Sequence, residues 1–154
     1  MEEPETLDMP GAGFILFNKS SMSSNSPLML TLICSNGLYD IPKGHAEEGE
    51  KPIDTALREC FEECSILLDD VEVIDGLTYA SGPLTVFGAC TNKVPALSKN
   101  PITGILEHER LKWVTKQEFL SNCIFYLKPF AEHFYSAYNT HYNGLLANFA
   151  INES

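Results

Sequence analysis

The chain is poor in positive charge. Ten Lys and Arg stand against 21 Asp and Glu, for a formal net charge of −11 over 154 residues. A protein that grips a nucleic-acid strand through its phosphates needs the opposite balance, so long nucleic acid is a poor fit as partner. No apolar run approaches the roughly 18–20 residues of a membrane-spanning helix, so no membrane partner is expected. Cysteines are few and odd in number: Cys34, Cys60, Cys64, Cys90 and Cys123. Apart from the i, i+4 pair Cys60 and Cys64, their spacing is of no metal-binding type. The first residues carry Glu2, Glu3, Glu5 and Asp8 where a secretory or transit leader would carry basic side chains. Together these features give the expectation of a reducing, cytoplasmic location. Repeats and interdomain linkers are lacking too. The length suits one domain, 1–154, with residues 1–10 as a flexible lead.

What the chain does have is 44% hydrophobic residues, ordinary for a globular protein, arranged in short apolar segments. Gly13-Phe-Ile-Leu-Phe reads as a buried strand, and Leu28 to Cys34 as a second. The serine-rich stretch Asn18 to Pro27 between them predicts a mobile hairpin loop, and Ser35-Asn-Gly a turn. Further strands are predicted over Asp69 to Ala80 and Leu84 to Thr91, with Pro95 to Gly104 as a loop. Leu111, Trp113 and Val114 suit another strand. Thr115-x-x-Glu118 has the spacing of a capping box that opens a helix. Phe130, His133, Phe134 and Ala137 make a helical stripe best explained by core packing, and Asn143-Gly144 is expected to end that helix. Strands around one helix and a helical end give an α+β class, with a mixed sheet between helices.

The stretch Gly44 to Ile66 carries the chemistry. Pro52 and Asp54 mark a helix start. Ile53, Ala56, Leu57, Cys60 and Cys64 recur at helical spacing as an apolar stripe. Glu59, Glu62 and Glu63 fall at i, i+3 and i+4, so a helix gathers their carboxylates on another face. Clustered carboxylates repel unless water screens them or a cation sits among them, and hard divalent ions take oxygen ligands of this kind. A solvated acidic face is the plain alternative. Upstream, Lys43 and His45 flank Gly44 in a loop where both could reach phosphate oxygens.

Gly44, Glu50, Arg58, Glu59, Glu62 and Glu63, with Cys60 and Ile66 at apolar positions, match in register the pattern G-x5-E-x7-R-E-U-x-E-E-x-G-U, where U is apolar. The chain thus resembles the Nudix hydrolases. One position departs: the family glycine that closes the helix is Ser65 here. The resemblance implies an α/β/α sandwich and a Mg²⁺- or Mn²⁺-dependent pyrophosphohydrolase acting on a nucleoside diphosphate linked to another moiety. It implies metal ligation by Glu62 and Glu63, with Glu59 as a ligand or general base. The Gly44 carbonyl would be a further ligand, with Glu50 assisting and Arg58 orienting Glu59. The run Pro42-Lys-Gly-His is similar to the branch that splits diadenosine tetraphosphate asymmetrically. There an aromatic residue, Tyr39 here, often precedes the motif, and a Glu-His pair, Glu107-His108 here, stands six residues before a Trp. Lys43, His45 and Tyr39 are thereby expected to contact substrate and Glu107 to reach back to the metal site. Other substrates of the same class remain open: ADP-ribose, nucleoside triphosphates, diphosphoinositol polyphosphates and RNA 5′ ends. So do a nucleotide-binding regulator without hydrolysis and an interaction protein with an acidic helix, although no box carboxylate is missing.

Overall fold

The computed structural model of the protein describes residues 10–24 and 26–153, with side chains described up to residue 140. The expected flexible lead therefore lies, apart from Pro10, outside the described residues. Strand β1, Gly11–Asn18, runs through the middle of a mixed sheet. It pairs parallel with β6, Leu84–Thr91, in unbroken register from Gly11 opposite Leu84 to Asn18 opposite Thr91. On its other side lies antiparallel β2, Met29–Ile33, which pairs with β7, Arg110–Val114, and β3, Tyr39–Asp40. The long β5, Glu72–Ser81, borders β6, with a bulge around Gly76.

Why β1 reads as an unbroken apolar run is plain from its two faces. A strand sends successive side chains to opposite sides, so only a strand covered on both needs every residue apolar. Phe14 and Leu16 pack with Ala56, Cys60 and Cys64 of helix α1, Pro52–Cys64. Ile15 and Phe17 pack with Phe119 of α2, Lys116–Asn122, and with Phe130, Phe134 and Tyr135 of α3, Lys128–Glu153. The result is the expected sandwich, with the mixed sheet between one helix and a helical pair.

Three local expectations need correction. The serine-rich connection from β1 to β2 holds a 3-10 turn, Lys19–Ser21, capped by the Asn18 side chain. The α3 hydroxyls of Tyr135 and Tyr138 bond to the carbonyls of Pro27 and Met22 and so tie this connection to the core. Second, α3 continues past Asn143-Gly144 to Glu153. A glycine within a helix costs about 1 kcal/mol relative to alanine, which weakens a helix without obliging it to stop. Third, the stretch before the box is not plain loop. It forms β3 and then β4, Lys43–His45, which pairs antiparallel with Gly11–Gly13 of β1. Gly13 makes that crossing possible: a Cβ there would run into the Pro42 carbonyl and the Lys43 side chain. By this route Gly44 and His45 are pinned beside α1.

Candidate functional site

Helix α1 begins at Pro52, whose missing N–H costs nothing in a first turn, and ends with Ser65 at φ 62° and ψ 25°. Among the described residues Ser65 is the only non-glycine with positive φ. The left-handed close expected of the family glycine is therefore made by serine, and its N–H donates to the Phe61 carbonyl. Serine adds a contact that glycine could not: its hydroxyl lies 2.8 Å from that of Ser98. The Ala96 N–H also donates to the Cys64 carbonyl at 2.8 Å. The loop after β6 is thus tied to the end of the helix.

These two roles of Ser65 oppose each other. Relieving the strained cap stabilises by about 0.5–1 kcal/mol, while losing the hydroxyl contact offsets part of the gain. Ser65→Gly is expected to raise the melting temperature more in a Ser98→Ala background than in the wild type. Equal shifts in the two backgrounds would show that the hydroxyls are not coupled.

A polar cleft of about 240 Å³ opens between α1, β4 and that loop. Gly44, His45, Glu59, Glu62, Glu63, Asn100 and Glu107 are among the residues that line it. Of the residues singled out from sequence, the fold brings these five box-side residues, Lys43 and Glu107 to one place.

Arg58 organises the carboxylates. Its Nε and Nη2 donate to both oxygens of Glu50 at 2.9 and 3.0 Å. Nη1 reaches Glu59 at 3.0 Å and Glu62 at 3.2 Å, and Nη2 also donates to the His45 carbonyl. A planar guanidinium can serve so many acceptors at once; an ammonium could not. Glu50 also accepts from the Thr55 hydroxyl and the Glu47 N–H. Its hydrogen bonds from Arg58 hold its carboxyl down at about 2. Glu50 therefore acts here as the anchor of Arg58 rather than as a group facing the cleft. Thr55 had no sequence signal beyond its place in the helix.

The other carboxylates behave differently. Burial, and then the charge of Glu62, push Glu59 up to about 7. Burial and the charges of Asp40 and Glu59 push Glu63 well above the ordinary carboxyl range. Gly44 shapes this cluster by what it lacks, since a Cβ there would occupy the space of the Glu59 carboxylate. A backbone cradle without a side chain, facing three crowded oxygen-bearing groups, fits a hard divalent cation. Glu59, Glu62 and Glu63 are the residues that would hold it.

Of the other two expected substrate contacts, one lies elsewhere and one lines the cleft with its charge turned away. Tyr39 is buried on the opposite face of the sheet, and its hydroxyl donates to Glu118 at 2.7 Å. That contact also engages Glu118 away from the reciprocal half of its capping box, although Thr115 caps α2 as expected. The Lys43 ammonium is turned inward to Asp40 at 3.2 Å and lies over the Tyr126 ring, 5.7 Å from its centre. Tyr39 is thus not brought to the cleft, and the Lys43 charge is spent on a buried partner. A strand alternates its side chains, so a motif written in a row need not face one way.

The part of two residues was not foreseen from sequence: Asp40, behind the cleft, and His108, which lines it while nearly buried. Burial works against the Asp40 charge, but Lys43 and His108 outweigh it and hold the carboxyl below its usual range. Donor atoms of Cys34, Asp40 and His108 lie within 4.8 Å of one another, a grouping that could in principle hold an ion. The positive charge beside Asp40 is already supplied by Lys43, and burial raises the Cys34 thiol to about 11. Glu107-His108 was legible as a pair, but only Glu107 was expected to act.

Comparison with known proteins places the fold. A family model described as the NUDIX domain matches residues 9–137. A nucleoside triphosphate pyrophosphatase/Nudix hydrolase fusion protein of Bifidobacterium longum is 32% identical over 78 residues, 51% of this chain and 16% of that protein. The chain thus spans about a sixth of that relative's length. The crystal structure of a C. elegans Ap4A hydrolase binary complex superposes with a TM-score of 0.68 at 19% identity, covering 86% of this chain and 98% of that one. The E. coli dihydroneopterin triphosphate pyrophosphohydrolase superposes with a TM-score of 0.59 at 18% identity, over 82% and 94% of the two chains. At these identities the likeness is one of fold.

Proposed function

The chain belongs to the NUDIX domain family, and on that premise we propose that it is a Mg²⁺- or Mn²⁺-dependent hydrolase of a dinucleoside polyphosphate such as diadenosine tetraphosphate, releasing ATP and AMP. The family and the box, whole but for Ser65, support reading the chain as an enzyme of the pyrophosphohydrolase class. The observation that carries the reading is the convergence of Glu59, Glu62, Glu63, His45 and Glu107 on one polar cleft.

A divalent ion bound there would neutralise phosphate charge and lower the pKa of a bound water. The chain's own residues do the rest. Arg58 holds the Glu59 and Glu62 carboxylates at fixed positions, and Glu50 holds Arg58. His45 is exposed at the rim, free to meet a phosphate oxygen. Glu107 faces the same space from the loop, supported by the Asn100 amide at 3.4 Å.

The inward turn of Lys43 favours a second reading. An extended four-phosphate chain loses one of its expected cationic contacts, so a compact substrate such as a nucleoside triphosphate gains ground. Product analysis by ion-exchange chromatography in ¹⁸O-labelled water separates the two, with kcat/KM compared across chain lengths and with Mg²⁺ omitted as control. ATP plus AMP, with the highest kcat/KM for the four-phosphate dinucleotide, is the expected result. Two ADP products, or a clear preference for nucleoside triphosphates or ADP-ribose, would overturn the substrate. Turnover that persists without a divalent ion would overturn the mechanism.

A further inference from the structure

Glu63 differs from its box neighbours in being held from behind. Its Oε1 accepts from the Lys43 N–H at 2.8 Å. Its Oε2 lies 3.5 Å from Nδ1 of His108, whose Nε2 lies 3.1 Å from Oδ2 of Asp40. Asp40 is held in turn by the Ile41 N–H at 2.8 Å and by the Lys43 ammonium. The side chains of Asp40, His108 and Glu63 are only 8–9% exposed, so water neither screens nor loosens the chain of contacts. Its members come from β3, from the loop before β7 and from α1, three parts of the chain far apart in sequence.

We propose that His108 is a positioning residue that aims the Glu63 carboxylate at the cation, with Asp40 fixing the imidazole. Outer partners of this kind commonly change metal affinity or activity about 10–100-fold when removed. The carboxylate plane of Glu63 is set by two contacts to its two oxygens, one from the backbone and one from the imidazole. Losing the second frees it to rotate about its last torsion, which is intrinsically broad. Glu59 and Glu62 do not share this arrangement, since their partner is the Arg58 guanidinium. The inference rests on Glu63 as a metal ligand, but not on which substrate the enzyme prefers.

Two substitutions separate this role from a merely structural one. The amide of an asparagine sits where Nδ1 of histidine does, so His108→Asn keeps a donor toward Glu63 and loses Asp40. The longer glutamine puts its amide near the place of Nε2, so His108→Gln keeps Asp40 and loses Glu63. Mn²⁺ binding followed by electron paramagnetic resonance gives an affinity without turnover, and metal-free melting reports the fold. His108→Gln is expected to melt close to the wild type and to bind Mn²⁺ about tenfold more weakly. His108→Asn is expected to melt lower and to keep Mn²⁺ affinity within about threefold, a split that a purely structural histidine would not produce. Wild-type affinity in His108→Gln, or affinity and melting falling together in both variants, would overturn the proposal. A wild-type protein that binds no Mn²⁺ would overturn it together with the function it rests on. An altered substrate preference with the Mn²⁺ split intact would overturn only the proposed substrate.

Discussion

Replacing Glu62 with Gln is expected to lower kcat by about 10²-fold or more while leaving the melting temperature nearly unchanged. The exchange removes one negative charge and keeps size and shape. Glu62 is the most accessible of the three clustered carboxylates, with its side chain 28% exposed, and it touches Arg58 at one point, 3.2 Å from Nη1. Arg58 keeps its two-pronged contact with Glu50 and its contact with Glu59, so the scaffold of the site survives. A partly exposed i, i+4 pair of this kind contributes no more than about 1 kcal/mol to stability. The catalytic loss would come from elsewhere, from the missing anionic oxygen beside the cation. Glu63→Gln is a less clean test, because that side chain is buried against His108 and the Lys43 backbone. The measurement is kcat across a Mg²⁺ titration, paired with thermal melts. Turnover within a few-fold of wild type at saturating Mg²⁺ would sink Glu62 as a ligand.

The box was legible in the sequence because its logic is local. Helical spacing alone places Glu59, Glu62 and Glu63 together, and it puts Ala56, Cys60 and Cys64 on the face that packs under β1. The apolar strands were legible for a related reason: a strand covered on both sides must be apolar throughout, as Phe14 to Phe17 are. The parts that were not legible depend on pairings across long separations. Nothing within the neighbourhood of Asp40 says that it will meet His108, 68 residues away. Nor does the run Pro42-Lys43-Gly44-His45 say which of its side chains turn outward. Only the pairing of β4 with Gly11–Gly13 settles that His45 ends at the rim while the Lys43 ammonium goes inside. The anchoring of the connection from β1 to β2 was missed in the same way, since the bonds from Tyr135 to Pro27 and from Tyr138 to Met22 cross more than a hundred residues.

The inward turn of Lys43 yields the second large effect. Lys43→Met is expected to destabilise the protein by about 3–5 kcal/mol, the usual consequence of removing one partner of a buried ion pair. For a chain of this length that is a fall of roughly 6–20 °C in melting temperature. The side chains of Lys43 and Asp40 are only 13% and 9% exposed, so water cannot take the place of the lost charge. His108 remains beside Asp40, but its ring also faces Glu63 and cannot satisfy two carboxylates as well as the ammonium did. Methionine keeps the length of the apolar stem, so the loss would measure charge rather than a cavity. The Lys43 N–H to Glu63 is a backbone contact and survives the exchange. The exposed pair Lys112–Glu118 serves as a control, because Lys112→Met is expected to cost no more than about 1 kcal/mol. Asp40→Asn should recover part of the stability in the Lys43→Met background by removing the uncompensated charge. If the ammonium instead swings out to hold phosphates during turnover, the result would be different. Lys43→Met would then melt like the wild type and lose kcat/KM selectively for the longest polyphosphate. Urea melts of the single and double variants, read beside kcat/KM for three- and four-phosphate substrates, decide between a buried strut and a substrate clamp.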